Sequence, residues 1–372
     1  MSSLPKPQDT LIAVAMSGGV DSSVAALLLK QAGYNVVGLT MKLWSPPAST
    51  CSTDEDSTEK TCCTVDSAMD AKRVCDQLDM PHYTLDMQED FKERVMDPFY
   101  ESYLRGETPN PCVNCNSFVK WDALWQRARS IGAAQIATGH YAAVTEDDGS
   151  TYILRGDDPS KDQSYFLWGI PGDSLKQTLF PLGNLPKTEV RRLALEAGLR
   201  TATKGESQDI CFIPRGNYRD FISEQAERRG DAIDSGPLVG PDGEDLGTHR
   251  GLPYYTIGQR KGLGVAQGEP LFVRKLESKT NTLVLGRKED LYCSAFVADR
   301  FNGFGPDWES RECLVQYRYR SPVKPALVEK ESDGRVRVTF REPGYCVSPG
   351  QSAVFYDGDR LLGGARIRDI LD

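Results

Sequence analysis

Residues Thr10–Leu29 read TLIAVAMSGGVDSSVAALLL. Leu11 to Ala15 is a short apolar run, the pattern of a strand buried on both faces of a parallel sheet. The turn Ser17-Gly18-Gly19-Val20-Asp21-Ser22-Ser23 follows. A periodic apolar stretch to Leu29 then predicts a helix beginning at Val20 or Asp21. Two adjacent glycines let the backbone pass close to a ligand and take positive φ. The first N–H groups of the helix lack intrahelical partners and point back at that turn. Strand, glycine turn and helix start together form a phosphate cradle. No Gly-Lys-Ser/Thr follows, so it is not a Walker A loop, and GxGxxG spacing is absent too.

Outward from this stretch the chain alternates strand and helix. Gly33 marks the helix end. Asn35 to Met41 reads as a second buried strand, Val65 to Leu78 as a helix stopped by Met80-Pro81, and His82 to Met87 as a third strand. Glu89 to Leu104 is an amphipathic helix. Gly106 to Asn116, GETPNPCVNCN, reads as turn chemistry throughout, with Phe118 to Ile131 helical after it. Ala134 to Tyr141 is a fourth strand ending in Gly-His-Tyr. The polar stretch Ser45 to Lys60 is expected to be a mobile loop. This alternation predicts an α/β fold with a doubly wound parallel sheet, whose ligands sit beyond the carboxyl ends of the strands. The glycine turn, Met41 and Gly139-His140 all fall there, so one nucleotide pocket collects them.

Tyr152 to Gly156 reads as a short strand and Lys187 to Ala197 as a helix. From about Pro214 the character changes. Glycine and proline are dense over Gly236–Gly268, Leu271 to Leu285 reads as a hairpin around Lys279-Thr280-Asn281, and short alternating strands fill Glu289 to Asp372. The expected division is an α/β domain carrying the nucleotide pocket over 1–213, a small mixed or β central domain over 214–287, and a C-terminal β-barrel over 288–372.

Composition narrows the function class. The 372 residues exceed what one core organises, and 26% charged with 39% hydrophobic residues fits a soluble globular chain. No apolar run is long enough to span a bilayer, and the first ten residues carry no signal-like core, so no membrane partner and a cytoplasmic location are expected. Ten cysteines in such a chain do not read as a disulfide framework. The net charge of −9 excludes nucleic-acid binding by bulk charge, leaving local basic patches or a shaped pocket.

The string SGGVDS resembles the PP-loop of ATP pyrophosphatases, which split ATP between its α and β phosphates. AMSGGVDSS, GLTMKLW, TPNPCVNCN, TGHYA, KDQSYFL, SQDICFI, YTIGQRKGLG, RYRSPVKPA and PGQSAVFYDGDRLLGGARI occur in the order seen in the bacterial-type tRNA-specific 2-thiouridylase family. The match spans nearly the whole chain. The resemblance implies ATP-dependent adenylation of the wobble uridine O2 in tRNA, followed by sulfur transfer from a persulfide. The implied cofactors are ATP and Mg²⁺. The implied partners are tRNA and a persulfide donor protein, either a cysteine desulfurase or a sulfur-relay protein. Ala15, Met16, Ser17, Gly18, Gly19, Val20, Asp21 and Ser22 would hold the nucleotide, with Asp21 a partner for Mg²⁺. Met41 and Gly139 would line its adenosine side.

Sulfur delivery needs thiolates, so loop cysteines draw attention. Cys115 lies in a Pro/Asn-rich loop, just ahead of a helix expected from Ser117, and a helix N-terminus lowers a thiol pKa. By resemblance Cys115 is the nucleophile in sulfur transfer and Cys211 carries the persulfide. The two then end as a disulfide that a reductant resets. The chain departs from the family at Cys112, where many members have Asp against the target base. A carboxylate there could act as general base, a role Cys112 does not inherit. The change also makes a CxxC. With Cys211 it offers three thiolates, the ligand set of an iron–sulfur cluster with one open position. Persulfide and cluster routes both stay open on sequence. Adjacent Cys62 and Cys63 read as structural or loop residues.

The resemblance also assigns tRNA contacts to Asn110, Pro111, Cys112, His140, Lys161, Asp162, Gln163, Arg318, Tyr319 and Gln351. Tyr317-Arg318-Tyr319-Arg320 interleaves aromatic and basic residues on an expected strand. Two other readings compete. One is a PP-loop ligase acting on a small molecule, which leaves Cys115, Cys211 and the barrel without a role. The other is a cluster-binding RNA scaffold with a vestigial nucleotide pocket.

Overall fold

Among the described residues, seven strands build the N-terminal half. They are β1 (Leu11–Ala15), β2 (Asn35–Lys42), β3 (His82–Asp86), β4 (Gln135–Ala137), the hairpin β5 (Ala142–Asp147) and β6 (Ser150–Arg155), and β7 (Thr178–Leu179). β1 lies at the centre of a five-stranded sheet of order β3-β2-β1-β4-β7, and each pairing in it is parallel. The structure is a computed structural model that describes residues 10–44, 65–206, 210–213, 217–265, 269–306 and 308–371. The expected loop Ser45–Lys60, Cys62-Cys63 and Ser207 to Asp209 lie outside the described residues.

Ile12, Ala13 and Val14 are all but fully buried, as a strand covered on both faces requires. Helix α1 (Val20–Gln31) buries Val20, Val24, Ala25, Leu27 and Leu29, and it ends at Gly33, whose φ is +85°. Ala71, Val74 and Cys75 of helix α2 (Val65–Gln77) join the same core, with Val190 and Ala194 of the helix Lys187–Glu196.

The chain divides into two compact units. One comprises residues 1–95, 112–216 and 359–361, the other residues 96–111, 217–358 and 362–372. The second unit carries a four-stranded sheet of order β10-β11-β8-β9, made from β8 (Gly236–Val239), β9 (Asp245–His249), β10 (Phe272–Glu277) and β11 (Thr282–Gly286). The β10–β11 hairpin turns through Asn281 at φ +51°, where the sequence places it. The remaining strands are β12 (Tyr292–Gly303), β13 (Ser310–Gln316), β14 (Lys324–Lys330), β15 (Val336–Tyr345), β16 (Ser352–Asp357) and β17 (Arg360–Leu371). They run in the order β12-β15-β14-β13-β16-β17, and pairing of β12 with β17 closes the barrel and removes its edges. Phe296, Val315, Val328, Val338, Phe355 and Ile367 fill its interior. No helix among the described residues is long and apolar enough to cross a membrane.

Three local expectations are corrected. Gly106 to Asn116 is not all turn, because a helix starts at Pro111. It runs Pro111–Asn114, then continues through the π-helical stretch Cys115–Leu124 and Trp125–Ser130. Proline suits the first helical position, since its missing N–H would have no partner there. Tyr317 to Arg320 is not strand. β13 stops at Gln316, and the chain turns with Arg320 at φ +63°. The fourth strand is only Gln135–Ala137, which leaves Gly139-His140-Tyr141 beyond its end. The helix Tyr218–Arg229 carries no clear apolar stripe, so it is marked mainly by its ends. The Asn217 side chain accepts from the Arg219 N–H, and Gly230 closes the helix at φ +71°.

Candidate functional site

β1 delivers the chain at Ala15, the backbone turns through Ser17-Gly18-Gly19, and α1 begins at Val20 with no side-chain cap. The N–H groups of the first turn are therefore left for a ligand. The turn is braced from inside. Ser22 Oγ accepts from the Ser17 N–H at 3.2 Å and donates to the Gly19 carbonyl at 3.2 Å, while Ser23 Oγ donates to the same carbonyl at 2.8 Å. Gly18 sits at φ +71°, and a Cβ there would lie 2.1 Å from the Ser67 carbonyl oxygen. Gly19 has no such crowding, since its Cβ would meet only Ser17 Oγ at 3.4 Å. The first glycine thus serves the packing of α2, and the second leaves open space beside the helix start.

Gly139 meets the same turn from β4. A Cβ on it would lie 2.7 Å from both the Asp21 carbonyl carbon and the Ser22 nitrogen. Met16 and Met41 flank the strand ends, Met16 buried and Met41 partly so. The Thr40 hydroxyl donates to the Met16 carbonyl at 2.9 Å.

A charged cluster stands over Asp21. Lys187 Nζ lies 2.7 and 2.9 Å from the two Asp21 carboxylate oxygens and 3.1 Å from Glu206, and the Tyr141 hydroxyl donates to Asp21 at 2.7 Å. Lys161 reaches Glu206 at 2.6 Å and Arg191 reaches it at 3.4 Å. Burial raises the Glu206 carboxyl, but hydrogen bonds from Lys161 and Lys187 outweigh it and bring it down to about 2. Burial and the neighbouring Asp21 push the Tyr141 phenol far up, so it stays a donor. Lys204 Nζ holds the turn from the other side, donating to the Gly18 carbonyl at 2.9 Å and pairing with Asp70 at 2.8 Å.

His140 lies just past β4, with Nδ1 2.7 Å from the Thr138 hydroxyl and its ring 5.7 Å from that of Trp121. Burial, then the Lys120 charge, hold it well below the ordinary histidine value, so it offers a neutral ring. The expected contacts Asp162 and Gln163 are engaged in their own loop. Asp162 pairs with Arg155 at 2.8 Å and accepts from the backbone of Gly156 and Ser164, each at 3.1 Å. Gln163 accepts from the Tyr141 N–H at 3.1 Å.

Cys112 is exposed in the first turn of its helix, whereas Cys115 and Cys211 are partly exposed. The expectation that a helix begins after Cys115 is therefore corrected, because Cys115 lies inside it and Cys112 is nearer its start. Among the described residues no three His, Cys, Asp or Glu side chains converge as a metal-binding group. The three thiols thus do not fit a cluster in this arrangement.

In the second unit, the segment leading to Pro111 is pinned to the barrel. The Thr108 N–H donates to the Pro349 carbonyl at 2.8 Å, and Gln351 Nε2 donates to the Thr108 carbonyl at 2.9 Å. Glu107, only 8% exposed, meets Arg105 at 3.3 Å, Arg366 at 3.8 Å and Arg368 more closely. Asp299 shares the last two arginines, at 2.7 and 3.3 Å. Exposed Arg318 donates to the Cys346 carbonyl at 3.1 Å, and Arg320 lies over the Tyr319 ring at 5.3 Å.

Residues 10–215 match the family model described as the tRNA methyl transferase HUP domain. Residues 219–287 match its PRC-barrel domain, and residues 294–367 the aminomethyltransferase beta-barrel domain. A tRNA-specific 2-thiouridylase of Carboxydothermus hydrogenoformans is 45% identical over 360 residues, covering 96% of this chain and 97% of that one. This chain belongs to the tRNA-specific 2-thiouridylase family. Thiouridylases of Geotalea uraniireducens and Clostridium beijerinckii are 45% and 43% identical, over 96% and 97% of this chain and 94% and 99% of theirs. The domain descriptions speak of methyl transfer, whereas these thiouridylase relatives are named for sulfur.

Sequence reasoning passed over Lys187, Glu206 and Glu107. Lys187 left one signal. It follows Pro186 at the first position of its helix, where the dipole disfavours a cation, so its charge answers to something outside that helix. Glu107 left little, because apart from neighbouring Arg105 its arginine partners are more than 250 residues downstream in sequence, at Arg366 and Arg368.

Proposed function

We propose that this chain is a tRNA 2-thiouridylase. The observation that carries the reading is the braced Ser17–Ser22 cradle at the head of α1, in a chain matched over nearly its full length by relatives of that name. A urea-like carbonyl is unreactive, so its oxygen must first become a leaving group. Uridine O2 displaces pyrophosphate from the α-phosphorus of ATP, and the open N–H groups of the cradle take up charge on the phosphates. Mg²⁺ is commonly held by one or two carboxylates plus substrate phosphates, so Asp21 would be the protein's share of its ligands, and a bound ion would neutralise phosphate charge. Met41 and Gly139 line the adenosine side.

The terminal sulfur of a Cys211 persulfide then attacks C2 and AMP departs. The Cys115 thiolate takes the inner sulfur, leaving one sulfur on the base and a Cys115–Cys211 disulfide, which an external reductant opens. A persulfide donor protein recharges Cys211. The persulfide route needs no metal, and this is why we favour it over a cluster. In this reading 1–213 is the catalytic domain and 214–287 a connector, with 288–372 contacting tRNA in the cytoplasm. Within the first unit Cys112, His140 and Lys161 are RNA contacts, and within the second unit Asn110, Pro111, Arg318 and Tyr319 are. Lys161 and exposed Arg318 would meet phosphate, whereas Asp162, Gln163 and Gln351 support their loops.

The test is nucleoside analysis of unmodified tRNA after incubation with the protein, ATP, Mg²⁺ and a persulfide donor. Sulfur in place of a uridine oxygen supports the reading. A methylated nucleoside, or ATP–pyrophosphate exchange stimulated by a metabolite instead of tRNA, overturns it.

A further inference from the structure

We propose that Lys187 is a pyrophosphate-binding residue of this site and that Glu206 is the carboxylate it exchanges for the phosphate. This deepens the ATP-dependent reading above and rests on it. Lys187 is 8% exposed, and a buried ammonium requires compensation. Its partners are Asp21, one residue into α1, and Glu206. The ammonium therefore sits beside the open N–H groups of the cradle, where departing phosphate oxygens collect charge. A lysine needs no bidentate geometry and acts there as a point charge.

The charge arrangement makes the exchange inexpensive. Glu206 has three cations, Lys187 at 3.1 Å, Lys161 at 2.6 Å and Arg191 at 3.4 Å. Losing Lys187 to a phosphate leaves it with two. Lys187 has two carboxylates, and Asp21 remains with it or turns toward Mg²⁺. No charge is stranded at any stage, the condition on which rearranging a buried ion pair depends. Lys204 is spent on the Gly18 carbonyl and Asp70, so it braces the turn and leaves the phosphate to Lys187.

Calorimetry with inorganic pyrophosphate and Mg²⁺, alongside AMP, tests this without reference to turnover. Lys187→Met should bind pyrophosphate at least about tenfold more weakly than wild type while AMP affinity changes less than about twofold. Glu206→Gln keeps the side-chain shape and should tighten pyrophosphate several-fold, which guards against a Lys187→Met protein that fails to fold. Unchanged pyrophosphate affinity in Lys187→Met, or weakened affinity in Glu206→Gln, overturns the assignment. If wild-type protein binds neither pyrophosphate nor ATP, the ATP reading itself falls. If wild type binds and the variants do not differ from it, only the role of Lys187 falls.

Discussion

The side-chain amide of Gln351 donates to the Thr108 carbonyl at 2.9 Å, three residues before the helix that carries Cys112 and Cys115. By family resemblance Gln351 is a tRNA contact, but here its amide is engaged in holding a loop. One such hydrogen bond contributes about 0.5–1.5 kcal/mol. Gln351→Ala should speed amide exchange over Thr108–Asn110 and lower thiolation more than tRNA affinity. Weaker tRNA binding with unaltered exchange in that segment would return Gln351 to the RNA surface.

Gly139 has no room for a side chain. Its Cβ would press on the backbone between Asp21 and Ser22 at 2.7 Å, and backbone cannot swing aside as a side chain can. Gly139→Ala should displace the start of α1 and cost roughly 1–3 kcal/mol of stability, the range for overpacking. ATP affinity should fall at least about tenfold. A variant with native melting temperature and native ATP affinity would show that the cradle tolerates movement.

Glu206 sets an acid limit. Its folded-state carboxyl titrates at about 2, below its ordinary 4.5. A depressed carboxyl contributes stability that is fully present above the unfolded value and is lost as pH falls through the folded one. The stability difference between wild type and Glu206→Gln should therefore be constant from neutral pH to about 5 and shrink between 4.5 and about 2. Denaturant melts across that range would expose a flat difference, which would mean that the Lys161 and Lys187 contacts do not hold in solution.

The cysteines divide by role. Cys115→Ser and Cys211→Ser should each abolish thiolation while tRNA-dependent pyrophosphate release persists, since adenylation uses other groups. Cys112, exposed at its helix start, should tolerate serine with partial activity, and anaerobically purified protein should be colourless. Stoichiometric iron that tracks activity and disappears in Cys112→Ser would reverse the preference for a persulfide.

The β1–turn–α1 unit was readable because each of its signals is local: apolar run, paired glycines, helix start. The barrel was readable as a class, from short alternating strands. Two-residue β7 was not, as Thr178–Leu179 is too short for any periodicity. Pro111 misled because proline reads as a breaker until its position in the helix is known. Asp162 and Gln163 show the limit of carrying residues over by motif. The string identifies the loop, but only the hydrogen-bond partners reveal that both side chains hold it in shape. Lys187 was hidden because its partner Asp21 lies 166 residues away in sequence, and Glu206 because its partners Lys161, Lys187 and Arg191 come from separate stretches of the chain.

The arginines that grip Glu107 lie on the last strand, at Arg366 and Arg368, so synthesis order matters. Domains fold as the chain emerges, N-terminal parts first. A nascent chain can complete its parallel sheet long before residue 368 appears, but the anchor before Pro111 must wait for Arg366 and Arg368. A nascent chain stopped short of Arg366 would thus carry a nucleotide cradle while the buried Glu107 still lacked two of its arginine partners.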